Sequence, residues 1–294
     1  MNTKLKDRVT INLKALKENG FLQQVQPDRF ALRVRVVGGQ LKAENLEAIS
    51  EIAREYGNGT VHFTSRQAVE VPYIKLEDIE DVKKILQANG LQPGILGARV
   101  RTVTACQGKD ICKHGYIKTA GLAQKITEAT MGKELPHKFK IGITGCCNNC
   151  LKAEENDLGI KGGIQPVWSE EQCTFCGACK VKCPAKAISV NKSKQKLTYK
   201  QDKCIHCGKC VKICPAKAWS GNEGLLVFFG GTFGNRILIG QRLLPIVFTE
   251  AEVLEIIDKA LKFYQEHGKK GERFGFMLER LGMDKLQTAL SPGL

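Results

Sequence analysis

Two copies of one cysteine pattern constrain this 294-residue chain more than any other feature. The first is Cys173-x2-Cys176-x2-Cys179-x3-Cys183-Pro184, and it recurs 31 residues later as Cys204-x2-Cys207-x2-Cys210-x3-Cys214-Pro215. Four of the other five cysteines form a different set, Cys106-x5-Cys112 with Cys146-x3-Cys150. Thiols spaced this closely either pair as disulfides or bind metal. The opening MNTKLKDRVTINLKALKENG carries charges throughout and no apolar leader core, so a reducing cytoplasm and metal ligation are expected. Structural zinc takes four ligands as two pairs, not runs of four each closed by Cys-Pro. The runs fit [4Fe–4S] clusters, in which three thiolates come from one tight loop and the fourth from the other repeat. On that rule Cys173, Cys176, Cys179 and Cys214 hold one cluster, and Cys204, Cys207, Cys210 and Cys183 hold a second. Gly177 and Gly208 permit the tight loops.

Bulk composition narrows the class. Hydrophobic residues are 43% and charged residues 26%, as in an ordinary globular chain. No apolar run is long enough to span a membrane, so no membrane partner is expected. The net charge of +15 raises a nucleic-acid reading, but aromatics are only 6% and the basic residues are dispersed. Bound anions explain the charge better, since each cluster with four thiolates carries roughly −2.

Periodicity predicts an α+β chain. Phe30, Leu32, Val34 and Val36 alternate with Arg33 and Arg35, which predicts a strand. Helical spacing occupies 43–56, strands 60–64 and 68–74, and a helix 76–89. A helix is expected over 115–130, and residues 137–143 alternate so that Lys138 and Lys140 share a face opposite Phe139, Ile141 and Ile143. Residues 224–240 read as strand-like and glycine-rich, and 249–267 as an amphipathic helix with Thr249 as N-cap. Trp168 and Trp219 bracket the repeated cysteine segment and are expected to pack it onto its host.

The second cysteine set lies in Thr104-Ala105-Cys106-Gln107-Gly108-Lys109-Asp110-Ile111-Cys112 and Thr144-Gly145-Cys146-Cys147-Asn148-Asn149-Cys150. This arrangement resembles the sirohaem–[4Fe–4S] motif of the sulfite and nitrite reductase family. Arg33-Val34-Arg35 with Gly38-Gly39, Thr64-Ser65-Arg66-Gln67, Leu135-Pro136-His137-Lys138-Phe139-Lys140, Gly230-Gly231 and Gly271-Glu272-Arg273-Phe274 extend the likeness over about residues 20–290. The form most resembled is the short, single-repeat type with an internal ferredoxin. These are the catalytic subunits of anaerobic sulfite reductases and the dissimilatory-type relatives.

The resemblance implies three domains: a ferredoxin-like half-domain over 1–95, a sirohaem/[4Fe–4S] domain over 96–167 and 221–294, and an inserted two-cluster ferredoxin over 168–220. It implies sirohaem plus three [4Fe–4S] clusters, the third held by Cys106, Cys112, Cys146 and Cys150, with Cys150 bridging to the haem. Cys147 is left outside the ligand set, because the other four complete it. Arg33, Arg101, Lys138 and Lys140 are the expected substrate cations, and Arg35, Arg66, Arg99 and Lys109 the expected partners of the sirohaem carboxylates, with Arg236 a weaker candidate. The implied reaction is six-electron reduction of sulfite to sulfide; the alternatives are nitrite reduction to ammonia, or electron transfer without catalysis. Electrons come from a donor protein docking near the ferredoxin insert, since no flavin or nicotinamide motif is recognisable. A single copy of each motif implies a homo-oligomer, dimeric or higher, with sites either shared between chains or contained within one.

Overall fold

The computed structural model describes residues 12–291; the first half of the stretch read for a leader lies outside them. The chain divides between Gly97 and Ala98 into two compact units.

The first unit runs α1 (Leu13–Glu18), β1 (Phe21–Gln23), β2 (Arg29–Val34), α2 (Ala43–Glu55), β3 (His62–Phe63), β4 (Val69–Lys75) and α3 (Ile79–Ala88). Its antiparallel sheet has the order β1-β2-β4-β3. Alternation along β2 buries Phe30, Leu32 and Val34 against Ile49, Ile52, Val82 and Leu86 of α2 and α3. Arg33 lies on the other face, directly opposite Glu70 of β4, and bonds it through Nε at 2.7 Å.

The second unit runs β5 (Thr104–Ala105), α4 (Thr119–Thr130), β6 (Ile141–Thr144), β7 (Leu158–Trp168), α5 (Ala178–Lys182), β8 (Ile188–Asn191), β9 (Lys196–Tyr199), α6 (Lys209–Ile213), β10 (Trp219–Phe229), β11 (Gln241–Arg242), α7 (Glu250–His267), α8 (Phe274–Leu281) and α9 (Met283–Leu290). Its main sheet has the order β11-β10-β7-β6-β5, with β5, β6 and β7 parallel and β7, β10 and β11 antiparallel. Helix α7 begins with a capping box, in which the Thr249 hydroxyl accepts the Glu252 N–H.

Two expected elements start later than the pattern suggests. Helix α4 begins at Thr119 because 115–118 are held elsewhere: the Tyr116 N–H donates to Gly145 O and Ile117 O accepts from Lys109 N. Strand β6 begins at Ile141, while Phe139 makes only an isolated parallel bridge to Val100. The stretch 224–240 is also not one strand. β10 ends at Phe229, and a single bridge between Thr232 and Leu238 precedes β11.

The repeated cysteine segment lies between two strands of one antiparallel pair. β7 and β10 pair from Leu158↔Phe229 to Trp168↔Trp219, so residues 169–218 leave and return at one point. That segment has its own β8–β9 hairpin and its own core of Cys179, Ile188, Leu197, Cys210 and Trp219. The Trp168 ring meets Phe175 edge-on, and Trp219 meets Tyr199 edge-on.

Candidate functional site

Each cysteine repeat builds the same local shape. A left-handed residue (Phe175, φ 49°, or His206, φ 55°) precedes a left-handed glycine (Gly177, φ 85°, or Gly208, φ 66°), which opens a short helix. The third cysteine of each repeat, Cys179 or Cys210, lies on that helix and is buried. Burial pushes both thiols up, Cys210 to about 12. Thiols this reluctant to ionise become thiolates by coordinating a metal.

The two repeats exchange one cysteine each. Cys173, Cys176, Cys179 and Cys214 line one small pocket together with Phe175, Val190, Leu197, Pro215 and Trp219. In the other repeat, burial pushes the Tyr199 hydroxyl up, and Cys204, Cys210 and Cys183 add to it in that order, while Cys204 and Cys207 act on Cys210. Among the described residues no three His, Cys, Asp or Glu side chains close around a single-ion point. The first four sulfurs instead line that pocket. The buried Trp219 Nε1–H bears on the Cys179 sulfur without reaching hydrogen-bonding geometry to it or to any other acceptor. A [4Fe–4S] cube fits this lining, since its sulfides would supply the missing acceptor.

The other set forms because parallel strands end side by side. β5 and β6 pair with Ala105 opposite Ile143, so Cys106 and the turn Gly145-Cys146 emerge at the same sheet edge. Cys106 N–H bonds Ile143 O at 3.0 Å, and Gly145 N–H donates to Cys106 Sγ at 3.0 Å. Cys146 is buried, which pushes its thiol up, and Cys112, Cys106 and Cys150 add repulsion in that order. The approach needs Gly108 (φ 66°): a Cβ there would sit 2.4 Å from Thr119 Oγ1. The buried Thr144 hydroxyl has no hydrogen-bond partner. Four converging thiols, a packed glycine and an unmet hydroxyl fit a third cluster.

Basic residues precede the same two strands. Arg101 N–H donates to Phe139 O at 2.8 Å, and Phe139 N–H to Arg99 O at 3.1 Å. Val100 and Phe139, bridged in parallel, are both buried, so Arg99, Arg101, Lys138 and Lys140 project to the opposite side and are half-buried. Burial lowers the pKa of His137, and Lys138, Arg273 and Arg101 lower it further. The turn after α7 and the residue before β7 fix this segment: Gly271 N–H bonds Pro136 O at 2.9 Å, and the buried Asp157 carboxylate accepts Lys140 N–H at 2.8 Å.

The remaining sequence candidates are placed separately. Lys109 pairs with Glu223 of β10, and Arg236 pairs with Glu279 at 2.8 Å over the Phe276 ring. In the first unit Arg33 pairs with Glu70, Arg35 donates to Gln92 Oε1 at 2.5 Å, and Arg66 is half-buried in the β3–β4 turn. Burial lowers the Arg35 pKa.

Sequence reasoning left Cys147 outside every site. In the fold it lies beside Cys207 of the second repeat. That contact, then burial, pushes Cys147 up, and it draws Cys207 down to about 6. The two residues are 60 positions apart, and no local pattern signals their meeting.

Comparison with known proteins gives the family. Residues 96–293 match the nitrite and sulphite reductase 4Fe-4S domain, and residues 22–89 match the nitrite/sulfite reductase ferredoxin-like half domain. The chain is 38% identical to the coenzyme F420-dependent sulfite reductase of Methanocaldococcus jannaschii, over 87% of this chain and 41% of that protein. It is 32% identical to a subunit of the anaerobic sulfite reductase of Salmonella typhimurium, over 60% of this chain and 56% of that one. It thus spans about half the length of these two relatives or less. The fold superposes on dissimilatory sulfite reductase I with a TM-score of 0.73 at 20% identity, covering 90% of this chain and 70% of the other. With two family domains in chain order over nearly its whole length, the chain belongs to the nitrite and sulfite reductase family, whose domain binds a [4Fe–4S] cluster.

Proposed function

We propose that the protein reduces sulfite to sulfide with six electrons at a sirohaem coupled to a [4Fe–4S] cluster. Cys106, Cys112, Cys146 and Cys150 would hold the cluster, and Cys150, the exposed member, would be the residue shared with the sirohaem. Bound sirohaem would supply the iron that takes the substrate atom and the redox chemistry. The observation that carries this reading is the arrangement around β5 and β6. Four converging cysteines come after the two strands, and Arg99, Arg101, Lys138 and Lys140 precede them on one side.

The residues would divide the remaining work. Arg101 presents a planar fork suited to an oxyanion, and Lys138 and Lys140 are compact donors able to hold and pass protons as S–O bonds break. Arg99, Lys109, Arg35 and Arg66 are proposed for the sirohaem carboxylates; Lys109 must then exchange Glu223 for that partner. Arg33, proposed as the fourth substrate cation, lies on the polar face of β2, where it pairs with Glu70.

Residues 168–220 are proposed as an inserted ferredoxin domain with two clusters, between a half-domain over 1–95 and a sirohaem domain over 96–167 and 221–294. Exposed Cys176 and Val181 of the first repeat support entry of electrons there from a donor protein. The working form is proposed as a cytoplasmic homo-oligomer. Among the described residues no helix is long and apolar enough to cross a membrane. Anaerobic purification, a visible spectrum and turnover with a chemical reductant test the proposal. Tetrapyrrole absorption and sulfide formation are expected. Ammonia from nitrite with no sulfide from sulfite would favour the alternative substrate, and no tetrapyrrole at all would leave an electron carrier.

A further inference from the structure

Charge is unevenly placed along the chain. Residues 169–218 hold eleven lysines, no arginine and only three acids, Glu170, Glu171 and Asp202. That one segment thus carries more than half of the net charge of +15. Two [4Fe–4S] clusters at roughly −2 each would still leave it basic. All eleven lysines are exposed, and among the described residues none is paired with a carboxylate. Elsewhere lysines find acids, as Lys125 finds Glu250 and Lys133 finds Asp258. A surface of one sign left open to solvent steers partners of the opposite sign.

Part of that surface is centred on the first repeat. Cys176 is exposed, and the loop after it opens α5, where Val181 is 82% exposed between Lys180 and Lys182. The β8–β9 hairpin brings a third cation: a Cβ at Gly177 would meet Lys192 Cε at 3.6 Å. The second repeat is packed inward instead. A Cβ at Gly208 would meet Tyr116 Oη at 2.7 Å and Ile164 Cδ1 at 2.8 Å. Tyr116 donates its hydroxyl to Cys207 O at 3.0 Å and its backbone N–H to Gly145 O at 2.7 Å, which ties the second repeat to the Cys146 turn. The first repeat is left with an apolar centre inside a cationic rim, the anatomy of a protein–protein contact. Phe175 and Tyr199 pack against Trp168 and Trp219 rather than facing outward as base-stacking platforms would.

We propose that the face made by Cys176, Val181, Lys180, Lys182 and Lys192 docks a small acidic electron-carrier protein. The inference deepens the donor-protein reading and rests on Cys173, Cys176, Cys179 and Cys214 holding a cluster. Each encounter passes one electron: the carrier is oxidised by one electron, the cluster is reduced by one, and no atom is transferred. The lysines gather the carrier by its negative charge, which acts on the rate of encounter more than on final affinity. Val181 supplies the desolvated centre, and the exposed Cys176 brings a ligand sulfur to the contact.

The test is stopped-flow reduction of the anaerobically purified full chain by photoreduced flavodoxin, an acidic carrier, followed by cluster bleaching. The second-order rate should fall by about 10–10³-fold between low and high salt. Lys180→Glu/Lys182→Glu/Lys192→Glu should lower the low-salt rate by about tenfold or more and flatten the salt dependence, with full iron content. Lys192→Glu alone, in the hairpin turn, should move the rate in the same direction. Reduction by methyl viologen radical, a small cation, should not fall in either variant. The same reversal at Lys200, Lys203 and Lys209 of the second repeat should cost less; an equal loss would make the effect one of net charge and overturn the docking face. So would a wild-type rate indifferent to salt, or no reduction by flavodoxin at all. Duplex DNA or phosphatidylserine vesicles that bind the wild type but not the triple variant, with the flavodoxin rate unmoved, would assign the face to a polyanion and also overturn the proposal. A wild type that viologen cannot bleach would remove the cluster reading itself. Full viologen bleaching with an unmoved flavodoxin rate in the triple variant would remove the docking face alone.

Discussion

Asp157, with no exposed side-chain surface, accepts both Arg273 Nη2 at 2.8 Å and the Lys140 N–H at 2.8 Å through one carboxylate oxygen. Its other oxygen takes Arg273 Nη2 at 3.0 Å. Burial pushes this carboxyl up, while Arg273 pulls it down. The pair therefore anchors the basic segment to the helical end of the chain. Arg273→Ala would strand a buried carboxylate, at a cost of about 3–5 kcal/mol. Denaturant unfolding should show that loss, and Asp157→Ala/Arg273→Ala should lose less than the two single variants combined.

Lys138→Ala and Lys140→Ala should each lower sulfite turnover by about 10²–10³-fold while sirohaem stays bound. Steady-state rates normalised to haem content check this. Unchanged rates in both variants would return these lysines to an ordinary solvated role.

His137 gives a pH dependence. Its folded pKa lies below the ordinary 6.5, with burial the largest cause and the charges of Lys138, Arg273 and Arg101 adding to it. Below 6.5 the unfolded chain therefore binds more protons than the folded one, so stability falls as pH drops from 6.5 toward the folded pKa. Thermal unfolding of the wild type should weaken between pH 7.5 and about 5.5 by more than that of His137→Gln. Equal losses would mean that His137 is not held neutral by its surroundings.

Gly108→Ala should abolish the Cys106–Cys150 centre and spare the repeats. Its φ of 66° and the 2.4 Å approach to Thr119 Oγ1 leave alanine strained and clashing. Iron analysis should show a loss of about five irons, four from the cluster and one from the sirohaem coupled to it.

How much of this was legible in the sequence depends on range. Cysteine spacing is local, and so is the cap at Thr249, the alternation in β2 and the helical face of α7; each is written within a few residues. Strand β7 was not read, because Gly159, Gly162, Gly163 and Pro166 make it poor in strand formers. The structure gives the reason for one of them: a Cβ at Gly162 would lie 2.3 Å from Gly145 O. The early start expected for β6 reflected real alternation at Lys138 and Lys140, but only Phe139 finds a bridging partner before Ile141. Arg273 stood in a stretch flagged by resemblance, yet its role depends on Asp157, 116 positions away. The Cys147–Cys207 contact likewise exists only once β7 and β10 have brought the repeats back to the Cys146 turn.

The central claim is that Cys106, Cys112, Cys146 and Cys150 hold a cluster coupled to sirohaem, separate from two clusters in the repeats. Cys150→Ser tests it most directly, by iron, acid-labile sulfide and visible spectrum on one anaerobic preparation. The wild type should hold about thirteen irons, and Cys150→Ser about eight, with the tetrapyrrole absorption gone and the repeat clusters intact. A Cys150→Ser protein that keeps wild-type iron, tetrapyrrole absorption and sulfite turnover would contradict the account.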